Sequence, residues 1–205
     1  MNDRVSHDVV DELYLSKSKN LKLNIFRVKN KQSIKEWIPI TSTNKDGFQA
    51  DLLFFPDYAK YNDSIACILV IINILSRFIY VYPLKKKSDT FEAIQKFVNS
   101  HPNLNLFESD QGSEFINKKI TSLLSEKDVE LYSSTNKFHV GIVERVNRTL
   151  RNLITRFITL NDNNWYVNRF QDIVNVYNKS VNRTTGKIPI DVVGKSNYCE
   201  IIHDN

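Results

Sequence analysis

Three carboxylates stand in the order Asp51, Asp110 and Glu144, at intervals of 59 and 34 residues. Asp51 ends a polar approach to an apolar run, and Asp110 closes a second such run in Ser109-Asp110-Gln111-Gly112. Glu144 opens the stretch Glu144-Arg145-Val146-Asn147-Arg148-Thr149-Leu150-Arg151. Carboxylate oxygens are the ligands that hard divalent cations such as Mg²⁺ prefer, together with water and substrate phosphate. In-line attack of water or a 3′-hydroxyl on a phosphodiester builds charge on both the entering and the leaving oxygen. Two ions roughly 3.5–4 Å apart stabilise both charges and lower the pKa of the attacking oxygen. The trio therefore suits metal-dependent phosphoryl transfer on nucleic acid. Taken singly, each acid has an ordinary explanation: a strand-edge charge at Asp51, a turn or N-cap at Asp110, an i, i+4 partner for Arg148 at Glu144.

The elements around these acids are readable from periodicity. Residues 48–55 and 65–75 predict two strands, and Phe78-Ile79-Tyr80-Val81-Tyr82 is aromatic and β-branched as a third should be, with Pro83 ending it. Short connections make an antiparallel meander of the three. Ser88 or Asp89 caps a helix through Phe91, Ile94, Phe97 and Val98 that ends near His101-Pro102. Residues 104–107 form a strand that delivers Asp110 at its C-terminal end, 116–127 a helix and 129–132 a fifth strand. Three antiparallel strands followed by alternating helix and strand predict an α/β domain, a mixed five-stranded sheet with helices on both faces.

A long helix over 142–160 carries the third acid. Val143, Val146, Leu150, Leu153 and Phe157 recur at three- and four-residue steps and form its predicted buried stripe. Glu144, Arg148 and Arg151 fall at i, i+4 and i+7 on an adjoining face, so one carboxylate and two guanidiniums are presented together. Arg148 and Arg151 are candidates for gripping a phosphodiester in bidentate fashion. Asn147 is a candidate for hydrogen bonding to DNA, and Lys137 for reaching the same strand. Asp57 and Asp63 read as turn residues, and Glu114 as a cap for the helix that follows it.

A chain of 205 residues, 41% apolar and 25% charged, is enough for one substantial core and a small appendage. The net charge is +5, but residues 135–187 hold nine Lys and Arg against Glu144, Asp162 and Asp172, leaving the rest of the chain at −1. A basic concentration around the last carboxylate is what a polyanionic substrate requires. Cys67 and Cys199 form no Cys-x-x-Cys pair, and His7, His101, His139 and His203 have no zinc-like spacing, so neither a disulfide framework nor zinc is indicated. The run 65–75 is too short to span a membrane, and the polar start from Asn2 to Asp8 is unlike a signal peptide.

The flanks of the acids carry a resemblance. Gly47-Phe48-Gln49-Ala50-Asp51-Leu52, Glu108-Ser109-Asp110-Gln111-Gly112-Ser113-Glu114-Phe115, Val143 to Leu150, and Tyr177 to Pro189 stand in the order seen in DDE integrase cores of retroviruses and retrotransposons. They are most similar to those of Maverick/Polinton-type DNA transposons and virophages. The resemblance implies the ribonuclease-H-like fold over residues 47–193, after a polar extension or small helical arm at 1–46 and before a tail at 194–205. It also implies a polynucleotidyl transferase with nuclease activity that holds two Mg²⁺ or Mn²⁺ ions. Asp51 would bridge both ions, with Asp110 and Glu144 holding one each. Its partners would be the element ends and target DNA, bound by a homo-oligomer, acting in a nucleus or virion if the element is eukaryotic or viral and otherwise in the cytoplasm. The His/His/Cys/Cys zinc module usual before such a core is not seen before Gly47, and no further DNA-binding domain is recognisable after Val193. Two rivals follow: a non-catalytic DNA-binding or oligomerisation protein derived from an integrase, and a ribonuclease-H-like nuclease that hydrolyses without strand transfer. Intact acids argue against the first, and the blocks at 143–151 and 177–189 against the second.

Overall fold

A computed structural model describes residues 46–133 and 141–195, all within one compact unit of the chain. Strand β1 spans Gly47–Phe54, β2 Cys67–Asn73 and β3 Ile79–Leu84. Helix α1, Thr90–Ser100, leads to β4, Leu106–Ser109, and α2, Lys118–Glu126, leads to β5, Glu130–Ser133. Helix α3 runs from Gly141 to Asn161, α4 from Phe170 to Asn178, and a last turn, α5, from Pro189 to Val192. The sheet order is β3-β2-β1-β4-β5. Pairing is antiparallel among β1, β2 and β3, and parallel from β1 to β4 and from β4 to β5. The mixed five-stranded sheet expected from the sequence is thus present.

Strand β2 is buried along its whole length, as a central strand covered on both faces should be. Cys67, Leu69 and Ile71 join Phe48, Ala50 and Leu52 of β1 in a core with Ile94 and Phe97 of α1 and Ile120 and Leu124 of α2. The alternate residues Ile68, Val70 and Ile72 are fully buried on the opposite face, where α3 packs across β1 and β2. By the same alternation Gln49, Asp51 and Leu53 turn toward α3.

Several local expectations are corrected. Pro83 lies inside β3 rather than ending it, paired opposite Ile68 and exposed. It is tolerated because β3 is an edge strand, where the missing N–H costs no ladder bond. The buried face of α3 holds Val143, Val146, Leu150 and Phe157 as expected, and also Ile142, Asn147 and Ile154, while Leu153 is only half-buried. Glu114 does not cap α2: Asn117 does, accepting from the Ile120 N–H at 3.2 Å, and Glu114 pairs with Lys87 instead at 3.2 Å.

The block at 177–189 docks the last helices against the sheet edge. Asn178 accepts from Ile79 N at 2.9 Å and donates to Ile79 O at 3.0 Å, supplying β3 with the partner that a fourth strand would otherwise give. Tyr177 beside it is half-buried, and desolvation pushes its phenol up to about 12. Among the described residues, no helix is long and apolar enough to cross a membrane.

Candidate active site

The register of two parallel strands brings the first two acids together. Ala50 pairs with Ser109, so one step further along each strand stand Asp51 and Asp110. Asp51 remains in β1, half-buried, whereas Asp110 is the first residue beyond β4 and is exposed. Asp110 Oδ1 accepts from Gly112 N at 3.0 Å, which folds the turn Asp110-Gln111-Gly112 back on its own carboxylate. A Cβ on Gly112 would stand 3.0 Å from Asp110 Oδ1 and 2.8 Å from Glu114 Cδ, so glycine leaves room for two carboxylates in one turn.

Glu144 lies in the first turn of α3, exposed, on the face of the sheet to which Asp51 turns. Two hydrogen bonds set that helix against β1. Gln49 Oε1 accepts from Val143 N at 3.3 Å, and Asn147 Nδ2 donates to Asp51 Oδ2 at 2.7 Å. Gln49 also donates through Nε2 to Glu108 Oε2 at 2.8 Å, tying β4 into the same arrangement.

Burial above all, helped by the nearby carboxylates of Asp110 and Glu144, raises the pKa of Asp51 from 3.8 to about 6. The Leu52 N–H, 2.8 Å from Oδ1, and the Asn147 amide oppose that rise by favouring the charged form. Among the described residues, none of the three acids has an ion-pair partner. Three negative charges without a compensating cation, all on hard oxygen donors, suit a divalent ion in charge and in ligand type. The fit is incomplete as the side chains stand, because no three acids, histidines or cysteines among the described residues close around a single point. Asp51 has both oxygens engaged in hydrogen bonds, and Glu144 is exposed.

The proposed DNA-contact residues divide. Arg148 is exposed on α3. Arg151 is exposed but braced, with Nη2 donating to Phe54 O at 3.2 Å and its guanidinium 4.9 Å from the centre of the Phe55 ring. Asn147, expected to face DNA, is 8% exposed, and its amide is directed to Asp51. Lys137 lies outside the described residues. Sequence reasoning missed Gln49 and Glu108; the available signal was a polar residue two before Asp51, on the same face of a buried strand.

No family model matches the chain. It is 39% identical over 140 residues to a transposon-derived protein of Caenorhabditis elegans, covering 66% of this chain and 48% of that protein. It is 30% identical over 98 residues to the retrovirus-related Pol polyprotein from transposon 412 of Drosophila melanogaster, covering 45% of this chain and 8% of the polyprotein. The chain thus spans about half the length of the first relative and a small part of the second. Among solved structures, it matches a chain of the simian T-cell lymphotropic virus intasome in complex with PP2A regulatory subunit B56 gamma. That match has a TM-score of 0.61 and 14% identity, over 78% of this chain and 55% of the other. The chain's fold is the ribonuclease-H-like fold of retroviral-type integrase cores.

Proposed function

We propose that this chain is the catalytic core of a DDE integrase from a mobile element, cutting and joining DNA by direct transesterification. The observation that carries the reading is the parallel pairing of Ala50 with Ser109, which sets Asp51 beside Asp110 under the helix turn that bears Glu144. Asp51, Asp110 and Glu144 would hold Mg²⁺ or Mn²⁺, Asp51 facing both of the others. When bound, two such ions supply charge stabilisation at the entering and leaving oxygens of the phosphodiester. The chain itself supplies position. Asn147 orients the Asp51 carboxylate, the turn at Gly112 orients that of Asp110, and Arg148 and Arg151 hold the phosphate backbone beside the scissile bond. The brace on Phe54 O and the Phe55 ring leaves Arg151 fewer conformations to lose on binding DNA.

Element ends and target DNA are the proposed substrates, handled by a homo-oligomer, with the nucleus or a virion as the place of action. The four sequence blocks favour an origin among Maverick/Polinton-type elements or virophages, with residues 47–193 as the core. A non-catalytic descendant is the second reading, and one observation favours it: the three acids do not converge among the described residues. The deciding experiment incubates the purified chain and its Asp51→Asn variant with Mn²⁺ and DNA bearing the element's own ends. Nicked and joined products from the wild type alone are expected. Metal binding without either product would establish the second reading, and nicking without joining would indicate a hydrolytic nuclease.

A further inference from the structure

Gln49 and Asp51 are two residues apart on one face of β1, about 6.6 Å along a strand. Their partners on α3, Val143 and Asn147, are four residues apart, about 6 Å along a helix. The spacings match, so two bonds a single helical turn apart fix the axial position of α3 on the sheet. Glu144 lies between the two points of attachment.

The upper point is chemically unusual. Val143 is the third residue of α3, so its N–H belongs to the first turn, where no intrahelical carbonyl is available. It is satisfied instead by a side chain from a neighbouring strand, and that side chain is 1% exposed. Gln49 is in turn oriented by Glu108: its Nε2 must face the carboxylate, which leaves Oε1 to face the helix. A glutamine alone could present either end; the glutamate decides which.

We propose that Gln49, oriented by Glu108, is a positioning residue that holds the first turn of α3 on β1 and thereby sets where Glu144 stands relative to Asp51 and Asp110. The consequence for Glu144 rests on the integrase reading, but the anchor itself does not. Without it, α3 would keep its attachment at Asn147 and its packing at Leu150 and Ile154, while the turn bearing Glu144 would fray.

Amide hydrogen exchange resolved by residue separates the two. In Gln49→Leu, exchange at Val143 should rise at least about tenfold, the scale expected when a helix end loses its capping partner. Exchange at Leu150 and Ile154 should stay within about twofold, since local opening leaves the packed remainder intact. The paired variant Gln49→Glu with Glu108→Gln keeps every donor opposite an acceptor and the total charge unchanged, and should restore Val143 protection; Gln49→Glu alone places two carboxylates face to face and should not. Mn²⁺ titration of the same proteins should show weaker binding in Gln49→Leu and recovery in the paired variant. Unchanged Val143 exchange in Gln49→Leu, or no restoration by the pair, would overturn the anchor. Should Val143 respond as expected while the wild type binds no Mn²⁺, the anchor stands and the integrase reading fails.

Discussion

Asn147 donates to Asp51 across the interface between α3 and β1 at 2.7 Å, from a position in the helix's buried stripe that an aliphatic residue would normally fill. Its other amide atom, Oδ1, is buried without a hydrogen-bond partner among the described residues. An orphaned buried acceptor costs roughly 1–3 kcal/mol, so stability alone does not account for Asn147. The amide cannot be turned over either, since an oxygen facing Asp51 would set acceptor against acceptor. At low pH, where Asp51 is protonated, Asn147→Leu should therefore fold at least as stably as the wild type. The Asp51 pKa should rise further above about 6, because a bond to its charged form is lost. Carboxyl NMR titration gives the pKa and thermal melting the stability. A pKa that stayed put would show that the amide does not tune the acid.

The raised pKa of Asp51 also predicts how stability depends on pH. An acid whose pKa is higher folded than unfolded binds more protons in the native state, so stability falls as pH rises through that interval. Between 3.8 and about 6 the ionisation of Asp51 should destabilise the fold, by at most on the order of 2–3 kcal/mol. Asp51→Asn removes that cost. It should abolish cutting and joining while melting higher than the wild type at pH 7–8, with the advantage vanishing below about pH 4. Asp110→Asn and Glu144→Gln should likewise abolish chemistry without unfolding the chain. Wild-type cutting by any of the three variants would remove that residue from the site.

Metal binding should reverse that penalty. An ion that binds only the folded state at a hundred times its Kd adds about 2.7 kcal/mol. Mn²⁺ should thus raise the melting temperature of the wild type and leave that of Asp51→Asn nearly unmoved. Equal shifts in both would place the ion elsewhere.

Arg148 and Arg151 share a helix face but not an environment. Replacing both by Ala should weaken DNA binding and reduce its salt slope by roughly one to two units, about 0.9 for each phosphate that is no longer neutralised. Arg151→Ala alone should also cost some stability, because its guanidinium rests on Phe55 and bonds Phe54 O; Arg148→Ala should cost none. A salt slope unchanged in the double variant would mean that this face looks into solvent.

The order of strands and helices was legible because each element carries its own period, and the two aspartates were legible from the apolar runs that deliver them. The interior of α3 was less so. An apolar count passes over Asn147 and chooses Leu153, whereas the helix buries Asn147 and Ile154 along with Val146. The 4-3-4-3 spacing of Val143, Asn147, Leu150, Ile154 and Phe157 was in the sequence, but the polar member hid it. Gln49 was hidden for the same reason, one polar side chain between Phe48 and Ala50 in a strand that is apolar apart from Asp51. Pro83 required knowledge that β3 is an edge, which topology supplies and local sequence does not.

Gly112 offers a test of the turn that holds Asp110. A methyl group there would meet Glu114 Cδ at 2.8 Å and Asp110 Oδ1 at 3.0 Å, so one carboxylate or the other must move. Glu114 is the flexible one, but it is half-buried and paired with Lys87, whose ammonium also sits 4.9 Å from the centre of the Phe54 ring. Displacing it costs little in stability, because a partly exposed ion pair contributes about 0–1 kcal/mol. On the integrase reading, displacing Asp110 should cost activity, since a misplacement of about an ångström at a reacting centre loses as much as a hundredfold in rate. Gly112→Ala should therefore melt within about 3 °C of the wild type, as expected for a change below about 1 kcal/mol, yet cut DNA at least about tenfold more slowly. Glu114→Ala should cut nearly normally, and Gly112→Ala combined with Glu114→Ala should recover much of the loss, because the second truncation gives the methyl group the space that Asp110 would otherwise surrender. Full activity in Gly112→Ala would show that the turn accommodates the methyl group without moving Asp110. A double variant no better than the single one would place the damage on Asp110 itself rather than on crowding by Glu114.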